Sequence, residues 1–304
     1  MSIWPRVLIT GAGGQVGREL VRAFSGNAEV IACDRNTLDL SSPDQIRRKV
    51  RESAADIILN AGAYTAVDRA ETEKDLALAI NAQAPGILAE EAERAGALLV
   101  HYSTDYVFDG SKSGPWTEAD PTNPLNFYGS SKLAGEEAIR QVGGRSLIFR
   151  TSWVYGPEGK NFVLTMLRLG RERESLNVVD DQVGAPTSSI ELAAATYQIT
   201  NGILDGQFGS PEQWAGLYNM TCAGSVSWCG FARAIFQRVP QLLNGKSPTV
   251  NPIPSTEFPT PAKRPLNSVL SNQKLYDTFG LRLAPWESAL DIVLSAIAAQ
   301  PGQA

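Results

Sequence analysis

Short aliphatic runs alternate with amphipathic helical stretches through the first 150 residues of this 304-residue chain. The predicted strands are Arg6–Thr10, Glu29–Asp34, Asp56–Asn60, Leu98–Ser103 and Ser146–Arg150. The predicted helices between them are Gln15–Ser25, Pro43–Ser53, Lys74–Ala95 and Tyr128–Val142. This alternation favours βαβ crossovers, which produce a parallel sheet covered by helices on both faces. We therefore predict an α/β, Rossmann-like, doubly wound fold with a smaller C-terminal lobe.

A glycine-rich turn follows the first strand, with glycines at positions 11, 14 and 17. This spacing lets the backbone turn tightly and approach a diphosphate, while the following helix offers N–H donors at its N-terminus. Asp34 ends the second strand 20 residues after Gly14, where an acid that binds a ribose is expected. The turn therefore predicts a dinucleotide site. Asp34 favours NADH, whereas the neighbouring Arg35 favours NADPH, and both cofactors stay open.

Two further segments follow strands and are expected at the carboxyl edge of the sheet, where such folds bind ligands. Asp39 and Leu40 are predicted beside the adenine. Ala61–Thr65 is predicted on the path to the nicotinamide ribose. A solvated acid next to a helix is an equally good interpretation of Asp39.

Tyr128 and Lys132 stand four residues apart in a predicted helix and therefore share one helical face. A free tyrosine has a pKa near 10, and a neighbouring ammonium lowers that value. The pair is thus suited to donate a proton to a carbonyl oxygen. Thr104 follows the fourth strand, and its hydroxyl would hold the same oxygen. Together these residues predict a carbonyl reductase.

The composition argues against several other functions. A net charge of −5 and a pI near 5.1 are unsuited to a nucleic-acid carrier. Three cysteines and one histidine give neither a disulfide framework nor a Cys/His zinc site. No apolar run approaches the roughly 20 residues of a membrane span. We expect a cytoplasmic enzyme with a small-molecule substrate, no nucleic-acid or membrane partner, and a homodimer as a further expectation.

Several blocks of the sequence resemble the extended short-chain dehydrogenase/reductase superfamily, and within it the dTDP-4-dehydrorhamnose reductase family. The blocks are His101–Phe108, Pro124–Gly129, Lys132–Glu136, Phe149–Tyr155, Asp181–Thr187, and Pro259–Pro265 with Asn267 and Ser268. The resemblance implies reduction by NADPH or NADH of the C4 ketone of dTDP-4-dehydro-6-deoxy-L-mannose. The product would be dTDP-L-rhamnose, formed in the last step of its biosynthesis.

The resemblance also implies roles for individual residues. Tyr128 would be the proton donor, Lys132 would tune it and hold the nicotinamide ribose, and Thr104 would orient the ketone. Asp105 and Trp153 would bind the sugar together with Thr104. The positions that match cofactor contacts are Gly11, Gly14, Gln15, Val16, Asp34, Asp39, Leu40, Ala63, Tyr64, Thr65, Tyr102, Tyr128 and Lys132.

Magnesium dependence is also implied by the resemblance, but no motif selects its ligands. Glu19 and Glu191 are the candidates, although solvated helix acids are the favoured interpretation of both. Other residues carry alternatives too. His101 is expected to be a structural histidine, Arg264 to meet a diphosphate or solvent, and Asn81 to anchor a water.

Two rival functions remain. A nucleotide-sugar 4,6-dehydratase or epimerase would share the fold, but dehydratases follow the threonine with an Asp-Glu pair, and here Tyr106 follows Asp105. A non-catalytic regulatory subunit of the methionine adenosyltransferase type would not need Thr104, Tyr128 and Lys132. All three residues are present, which favours catalysis.

The domain prediction places an NAD(P)-binding Rossmann domain at residues 1–150, carrying the Tyr/Lys pair. Residues 151–304 would form mainly a substrate-binding lobe, with some segments returning to the first domain. Within this part, Pro248–Pro265 holds six prolines and is predicted to be an ordered loop or linker. The predicted elements are helices at Asn161–Arg173, Ser189–Thr200, Ser227–Val239, Ser271–Phe279 and Pro285–Ala299, and a strand at Leu217–Thr221.

Overall fold

A parallel sheet organises the chain in the computed structural model, which describes residues 4–239, 243, 245 and 248–299. The strands are β1 Arg6–Thr10, β2 Glu29–Cys33, β3 Ile57–Asn60, β4 Leu98–Thr104, β5 Ser146–Thr151, β6 Val154–Tyr155, β7 Ser175–Val179, β8 Val183–Gly184, β9 Thr187–Ser188, β10 Gly216–Asn219, β11 Val226–Ser227, β12 Thr249–Ile253 and β13 Asn267–Ser268. Within the described residues, six of these strands form the main sheet in the order β2-β1-β3-β4-β5-β10, and every pair in it is parallel.

Helices cover both faces of this sheet. They are α1 Gln15–Phe24, α2 Pro43–Ser53, α3 Val67–Ala70, α4 Lys74–Leu78, α5 Ala84–Ala95, α6 Phe127–Val142, α7 Phe162–Glu172, α8 Ser189–Leu204, α9 Pro211–Trp214, α10 Trp228–Arg238, α11 Gln273–Phe279 and α12 Trp286–Ala298. The α/β, doubly wound prediction is therefore confirmed. The strand order reverses at β1, so a crevice is expected between the carboxyl ends of β1 and β3.

Two apolar layers hold the helices on the sheet, because successive strand residues point to opposite faces. On one face Leu8, Ile58 and Leu99 pack with buried residues of α2, α5 and α6. On the other face Ile9 and Val100 join a larger layer that includes residues of α1, α8 and α10. With both faces covered, the strands are almost continuously apolar, as the sequence predicted.

The helix predicted over Lys74–Ala95 is interrupted. A π-helical turn at Ala79–Gln83 separates α4 from α5. Pro85 explains the break, because proline has no N–H to donate to the carbonyl of Asn81 four residues earlier. The correction matters because this turn lies against α6, which carries Tyr128 and Lys132.

The prediction that Pro248–Pro265 is a loop throughout was wrong at its start. β12 pairs in parallel with β7, an element the sequence analysis did not predict. Pro252 lies inside β12 and cannot donate to a ladder, but each strand of a two-stranded sheet has a free edge that tolerates proline. β10 also belongs to the main sheet although it follows residue 150. None of the described helices is long and apolar enough to cross a membrane.

Candidate active site

The glycine turn after β1 forms a close-packed cradle. Gly11 has φ +66°, and a Cβ placed on it would lie 2.5 Å from the backbone of Gly62. A Cβ on Gly17 would lie 2.1 Å from the carbonyl oxygen of Gly11. Gly14 is the N-cap of α1 and offers no capping side chain, so the first N–H groups of the helix can bind a ligand. This combination suits the diphosphate of a dinucleotide.

Asp34 and Asp39, two carboxylates predicted to contact the cofactor, each accept hydrogen bonds from the residues that follow them in the chain. Oδ1 of Asp34 accepts hydrogen bonds from the backbone N–H of Asn36 at 3.0 Å and of Thr37 at 3.1 Å. Hydrogen bonds from Thr37 and Asn36 hold the pKa of Asp34 below its ordinary value. Oδ1 of Asp39 likewise accepts from Ser41, which lowers its pKa. Both groups are therefore ionised at neutral pH.

The loop after β3 forms one wall of the crevice. A Cβ on Gly62 would lie 2.5 Å from Cδ1 of Leu40, so Leu40 packs directly against this loop. The side chain of Asn81 binds the backbone N–H of Tyr64 at 2.8 Å and its carbonyl at 3.0 Å. Its amide also donates to Ser131 of α6 at 3.0 Å. Asn81 thus fixes the Ala63–Thr65 segment through protein contacts.

Gln15 and Val16 begin α1 and have different surroundings. Oε1 of Gln15 accepts a hydrogen bond from Asn161 at 2.8 Å, which ties the glycine cradle to the segment before α7. Val16 packs against the larger apolar layer, so only its backbone faces the cradle region. Tyr102 likewise belongs to the larger apolar layer, and its hydroxyl lies 2.6 Å from Oγ1 of Thr196 on α8.

Tyr128 is positioned by the start of α6. Asn126 is the N-cap, and its Oδ1 accepts a hydrogen bond from the N–H of Gly129 at 2.8 Å. A Cβ on Gly129 would lie 2.2 Å from the carbonyl oxygen of Tyr106, so the missing side chain lets α6 approach the turn after β4. The approach places the phenol of Tyr128 next to the hydroxyl of Thr104. The sequence analysis did not predict these roles of Asn126 and Gly129.

Burial sets the electrostatics of the tyrosine and the lysine. It raises the pKa of Tyr128 to about 12, and the Thr104 hydrogen bond offsets part of that rise. The phenol is therefore protonated at neutral pH, as a proton donor must be. Lys132 is only 1% exposed, and burial lowers its pKa to about 7 against the opposing effect of Glu136. Its ammonium donates to the carbonyl of Tyr102 at 2.6 Å and faces Nε2 of His101 at 3.0 Å.

A buried ion pair lies one turn further along α6. Oε1 and Oε2 of Glu136 accept hydrogen bonds from Arg150 at 2.9 and 2.6 Å, and Ser103 also donates to Glu136. Glu136 and Arg150 are almost fully buried, so their charges must be paired. This pair joins α6 to β4 and β5 and stiffens the base of the site.

The predicted sugar-binding residues lie on neighbouring elements. Burial raises the pKa of Asp105 to about 6, and its Oδ2 has no hydrogen-bond partner among the described residues. Trp153 has φ +49°, and its ring stacks on Trp228 with the centroids 3.5 Å apart. β13 pairs with β8, which places Ser268 beside Gly184. Ser268 lies next to Asp105, and Gly184 contacts Trp153, so the two predicted residues approach the same short strand pair.

Arg264 is brought to the same region from the proline-rich loop. Its Nη2 lies 3.0 Å from Oδ2 of Asp68, and its guanidinium lies next to the hydroxyl of Tyr106. The ring of Tyr106 packs edge-on against Tyr128 with centroids 5.6 Å apart. Nη1 of Arg264 is buried without a hydrogen-bond partner in the described structure. An unpaired guanidinium nitrogen here suits an anionic ligand.

The candidate magnesium ligands do not form a metal site. Glu19 pairs with Arg22 on α1, and Oε2 of Glu191 accepts the N–H of Ala284 at 3.1 Å. The described part of the chain contains no group of three or more His, Cys, Asp or Glu residues placed to hold a metal ion. No magnesium centre is therefore assigned among the described residues, and no step of the chemistry runs through one.

Comparison with known proteins decides the family. A model described as the RmlD substrate binding domain matches residues 5–299. The dTDP-4-dehydrorhamnose reductase of Burkholderia thailandensis is 44% identical, over 97% of this chain and 100% of that protein. The chain belongs to the dTDP-4-dehydrorhamnose reductase family. The predicted resemblance is thereby confirmed over nearly the whole length.

Solved structures of family members agree with this fold. A dTDP-4-dehydrorhamnose reductase from Bacillus anthracis, in complex with NADP, matches with a TM-score of 0.88 at 36% identity, covering 97% of this chain and 100% of that one. The Clostridium acetobutylicum family member matches with a TM-score of 0.87 at 40% identity, covering 96% and 99%. A UDP-glucose 4-epimerase from Thermus thermophilus, at 20% identity and a TM-score of 0.76, shares the fold.

Proposed function

We propose that this chain reduces the C4 ketone of dTDP-4-dehydro-6-deoxy-L-mannose to dTDP-L-rhamnose with NADPH or NADH. The observation that carries the proposal is the contact between the protonated phenol of Tyr128 and Thr104, one helical turn from the buried ammonium of Lys132. Membership of the reductase family supports the substrate, because relatives at 40–44% identity carry that name.

The glycine cradle, Asp34 and Leu40 would hold the cofactor at the crevice between β1 and β3. The bound nicotinamide supplies a hydride to the C4 carbon. The NADP complex of the Bacillus anthracis relative supports NADPH as the cofactor, and so does the exposed Arg35 beside Asp34. Asp34 supports NADH, so the proposal includes both cofactors.

The chain's own residues would move the proton. Thr104 holds the ketone oxygen, and Tyr128 donates its phenolic proton to that oxygen as negative charge develops there. Lys132 stabilises the phenolate left behind, because an ammonium favours the charged form of a nearby acid. Asp105 and Trp153 would contact the sugar, and Arg264 would meet the diphosphate.

The test is a comparison of the wild type with Tyr128→Phe. We expect wild-type protein to oxidise NADPH or NADH stoichiometrically with the dTDP-ketosugar. The variant should keep its fold and cofactor affinity but lose at least about 100-fold in kcat, the usual scale of a general acid. Undiminished turnover would refute the mechanism. Product formation without net cofactor oxidation would instead indicate an epimerase or dehydratase.

We also propose the domain division, the cellular location and the oligomeric state of the protein. We propose that residues 1–150 form the cofactor domain and residues 151–304 mainly the substrate lobe, and the return of β10 to the main sheet supports the mixed assignment of the second part. Limited proteolysis with and without cofactor tests this division. A cytoplasmic location and a homodimer are also proposed, and sedimentation analysis tests the dimer.

A further inference from the structure

A row of polar side chains crosses the sheet beneath α6. Thr10 pairs in register with Asn60, and Asn60 pairs with His101, on the adjacent strands β1, β3 and β4. The residues two positions earlier on these strands are the apolar ones that pack under α2, α5 and α6. The polar row therefore ends the apolar layer at the carboxyl edge of the sheet, and all three side chains are at most 1% exposed.

This row ends on the proposed catalytic machinery. Oγ1 of Thr10 lies 2.7 Å from Oδ1 of Asn60, and Nδ2 of Asn60 lies 2.9 Å from Nδ1 of His101. The other ring nitrogen, Nε2, lies 3.0 Å from Nζ of Lys132. The sequence analysis expected a structural histidine, and the ring is indeed buried with both nitrogens in contact. Its second contact, however, is the lysine one turn from Tyr128.

The hydrogens available on these side chains determine which atom donates and which accepts in each contact of the row. Burial and the charge of Lys132 hold the pKa of His101 well below its ordinary value, so the ring is neutral and has one N–H. Below a pH of about 7 Lys132 is an ammonium, which can only donate, so Nε2 must accept from it and Nδ1 must carry the hydrogen. Asn60 must then present its amide oxygen to His101 and its NH2 group to Thr10, which requires only a half-turn of the amide.

We propose that His101 is a positioning residue for the reduction proposed above, its Nε2 accepting one N–H of the Lys132 ammonium while Asn60 holds the Nδ1–H tautomer. The carbonyl of Tyr102 accepts a second N–H at 2.6 Å. Two of the three ammonium hydrogens are thereby bound to β4, and the third is left for the reacting side of the site. The inference rests on the proposed function only in assigning Lys132 its role.

The other charged groups around Lys132 are accounted for. Glu136 stands one turn along α6 and is ion-paired with Arg150 of β5. Asp105 lies beside Thr104, where it accepts a hydrogen bond from the threonine hydroxyl at 3.1 Å. Changes at position 101 leave these groups in place. A shift in the pH profile of a variant therefore reports on the contact between His101 and Lys132.

Two amide substitutions at position 101 test the contacts of the two ring nitrogens separately. His101→Asn places an amide near the position of Nδ1 and keeps the contact with Asn60, but loses the acceptor for Lys132. His101→Gln reaches the position of Nε2 and restores an acceptor. We expect H101N to lose about 10-fold or more in kcat with little change in KM for the ketosugar. We expect H101Q to recover most of the loss.

The pH profile gives a readout that a merely structural histidine would not move. A hydrogen bond to the charged form stabilises that form, so losing it lowers the pKa of Lys132. The alkaline limb of kcat should therefore shift to lower pH in H101N and move back in H101Q. Equal kcat and equal pH profiles for the two variants, after correction for the folded fraction, would overturn the proposal.

A measurement on unmodified protein decides the matter even if neither variant folds. The chain has one histidine, so 15N-histidine labelling of the full chain without an affinity tag gives the spectrum of His101 alone. We expect a neutral ring protonated at Nδ1 at pH 6. An imidazolium or an Nε2–H tautomer there would refute the proposal. If the tautomer is as expected but the ketosugar is not reduced, only the proposed function fails.

Discussion

The carbonyl oxygen of Asn81 lies so close to Gly135 that a Cβ on the glycine would stand 2.1 Å from it. Asn81 belongs to the π-helical turn before α5, and Gly135 lies on α6 between Lys132 and Glu136. The side chain of Asn81 also holds the backbone of Tyr64. One close approach therefore fixes the distance between α6 and the loop that borders the crevice between β1 and β3.

Gly135→Ala is expected to destabilise the protein, because the new methyl meets backbone and cannot be relieved by a rotamer change. Overpacking of this kind costs about 1–3 kcal/mol. A fall in the denaturant midpoint at unchanged slope would measure it. Gly114→Ala is the matched control, since a Cβ there meets nothing within 4 Å. Equal stabilities for the two variants would contradict the argument.

Much of the fold could be predicted from local sequence. The start of α2 at Pro43 and the end of α5 at Gly96, with φ +68°, followed from residues whose backbone preferences are strong. The π-helical turn was missed because the periodicity of Lys74–Ala95 is helical throughout, and Pro85 is also compatible with the first turn of a helix. β12 was missed because Pro252 within it, and Pro248 and Pro254 on either side, indicate a loop unless the partner strand is known.

The candidate site was predictable only as far as the motifs reach. Tyr128, Lys132 and Thr104 were identified from spacing and position, and the structure brings them together. His101 was interpreted as structural, because one sequence does not show that β4 and α6 meet at Lys132. Likewise, the stack of Trp153 on Trp228 joins residues 75 positions apart, and no periodicity connects them.

Glu91 anchors a second prediction, on stability against acid. Its carboxylate is 1% exposed and accepts hydrogen bonds from Arg51 and Arg47, which hold its pKa at about 2. Because the folded pKa is lowered, this stabilisation is complete above the ordinary pKa of 4.5 and is lost as the pH falls towards 2. Glu91→Gln should therefore lower the free energy of unfolding at pH 7.

The expected loss is about 1–3 kcal/mol, since the arginine partners are partly exposed and solvent screens them. The difference between wild type and variant should shrink steadily between pH 4.5 and pH 2 in urea titrations. Glu52→Gln is the control: its pair with Arg48 spans 4.0 Å and is largely exposed, so a change below about 0.5 kcal/mol is expected. A pH-independent effect of Glu91→Gln would show that packing, not charge, is responsible.

Asp105 should have the opposite pH dependence. Burial raises its pKa from 3.8 to about 6, so the protein loses stability as the pH rises from 4 to 6 and the buried carboxyl ionises. Asp105→Asn removes this ionisation. Relative to wild type, the variant should gain about 2 kcal/mol between pH 4 and pH 8, whatever constant cost the amide adds.

Chemical unfolding at the two pH values measures that change, and KM for the ketosugar measures the effect on binding. We expect the variant to bind the ketosugar more weakly, because Oδ2 of Asp105 is the buried oxygen without a partner. Stability curves that stay parallel from pH 4 to pH 8 would contradict the raised pKa. Unaltered ketosugar KM would argue that Asp105 does not reach the sugar.

Gly184 offers a test of the sugar-binding role of Trp153 that leaves the tryptophan itself in place. A Cβ on Gly184 would lie 2.6 Å from Cε2 of the Trp153 ring, which is confined on its other face by Trp228. Gly184→Ala must therefore displace the ring.

The glycine cradle after β1 lies on different elements, so the effect of Gly184→Ala should be selective for the sugar. We expect KM for the ketosugar to rise about 10-fold, with KM for NADPH within about 2-fold of wild type. A 10-fold rise corresponds to about 1.4 kcal/mol of lost binding free energy. Steady-state kinetics with each substrate varied in turn measures both constants, and Trp153→Ala should reproduce the selectivity. A rise in both constants, or in neither, would place Trp153 outside the sugar site and leave its stack on Trp228 as packing alone.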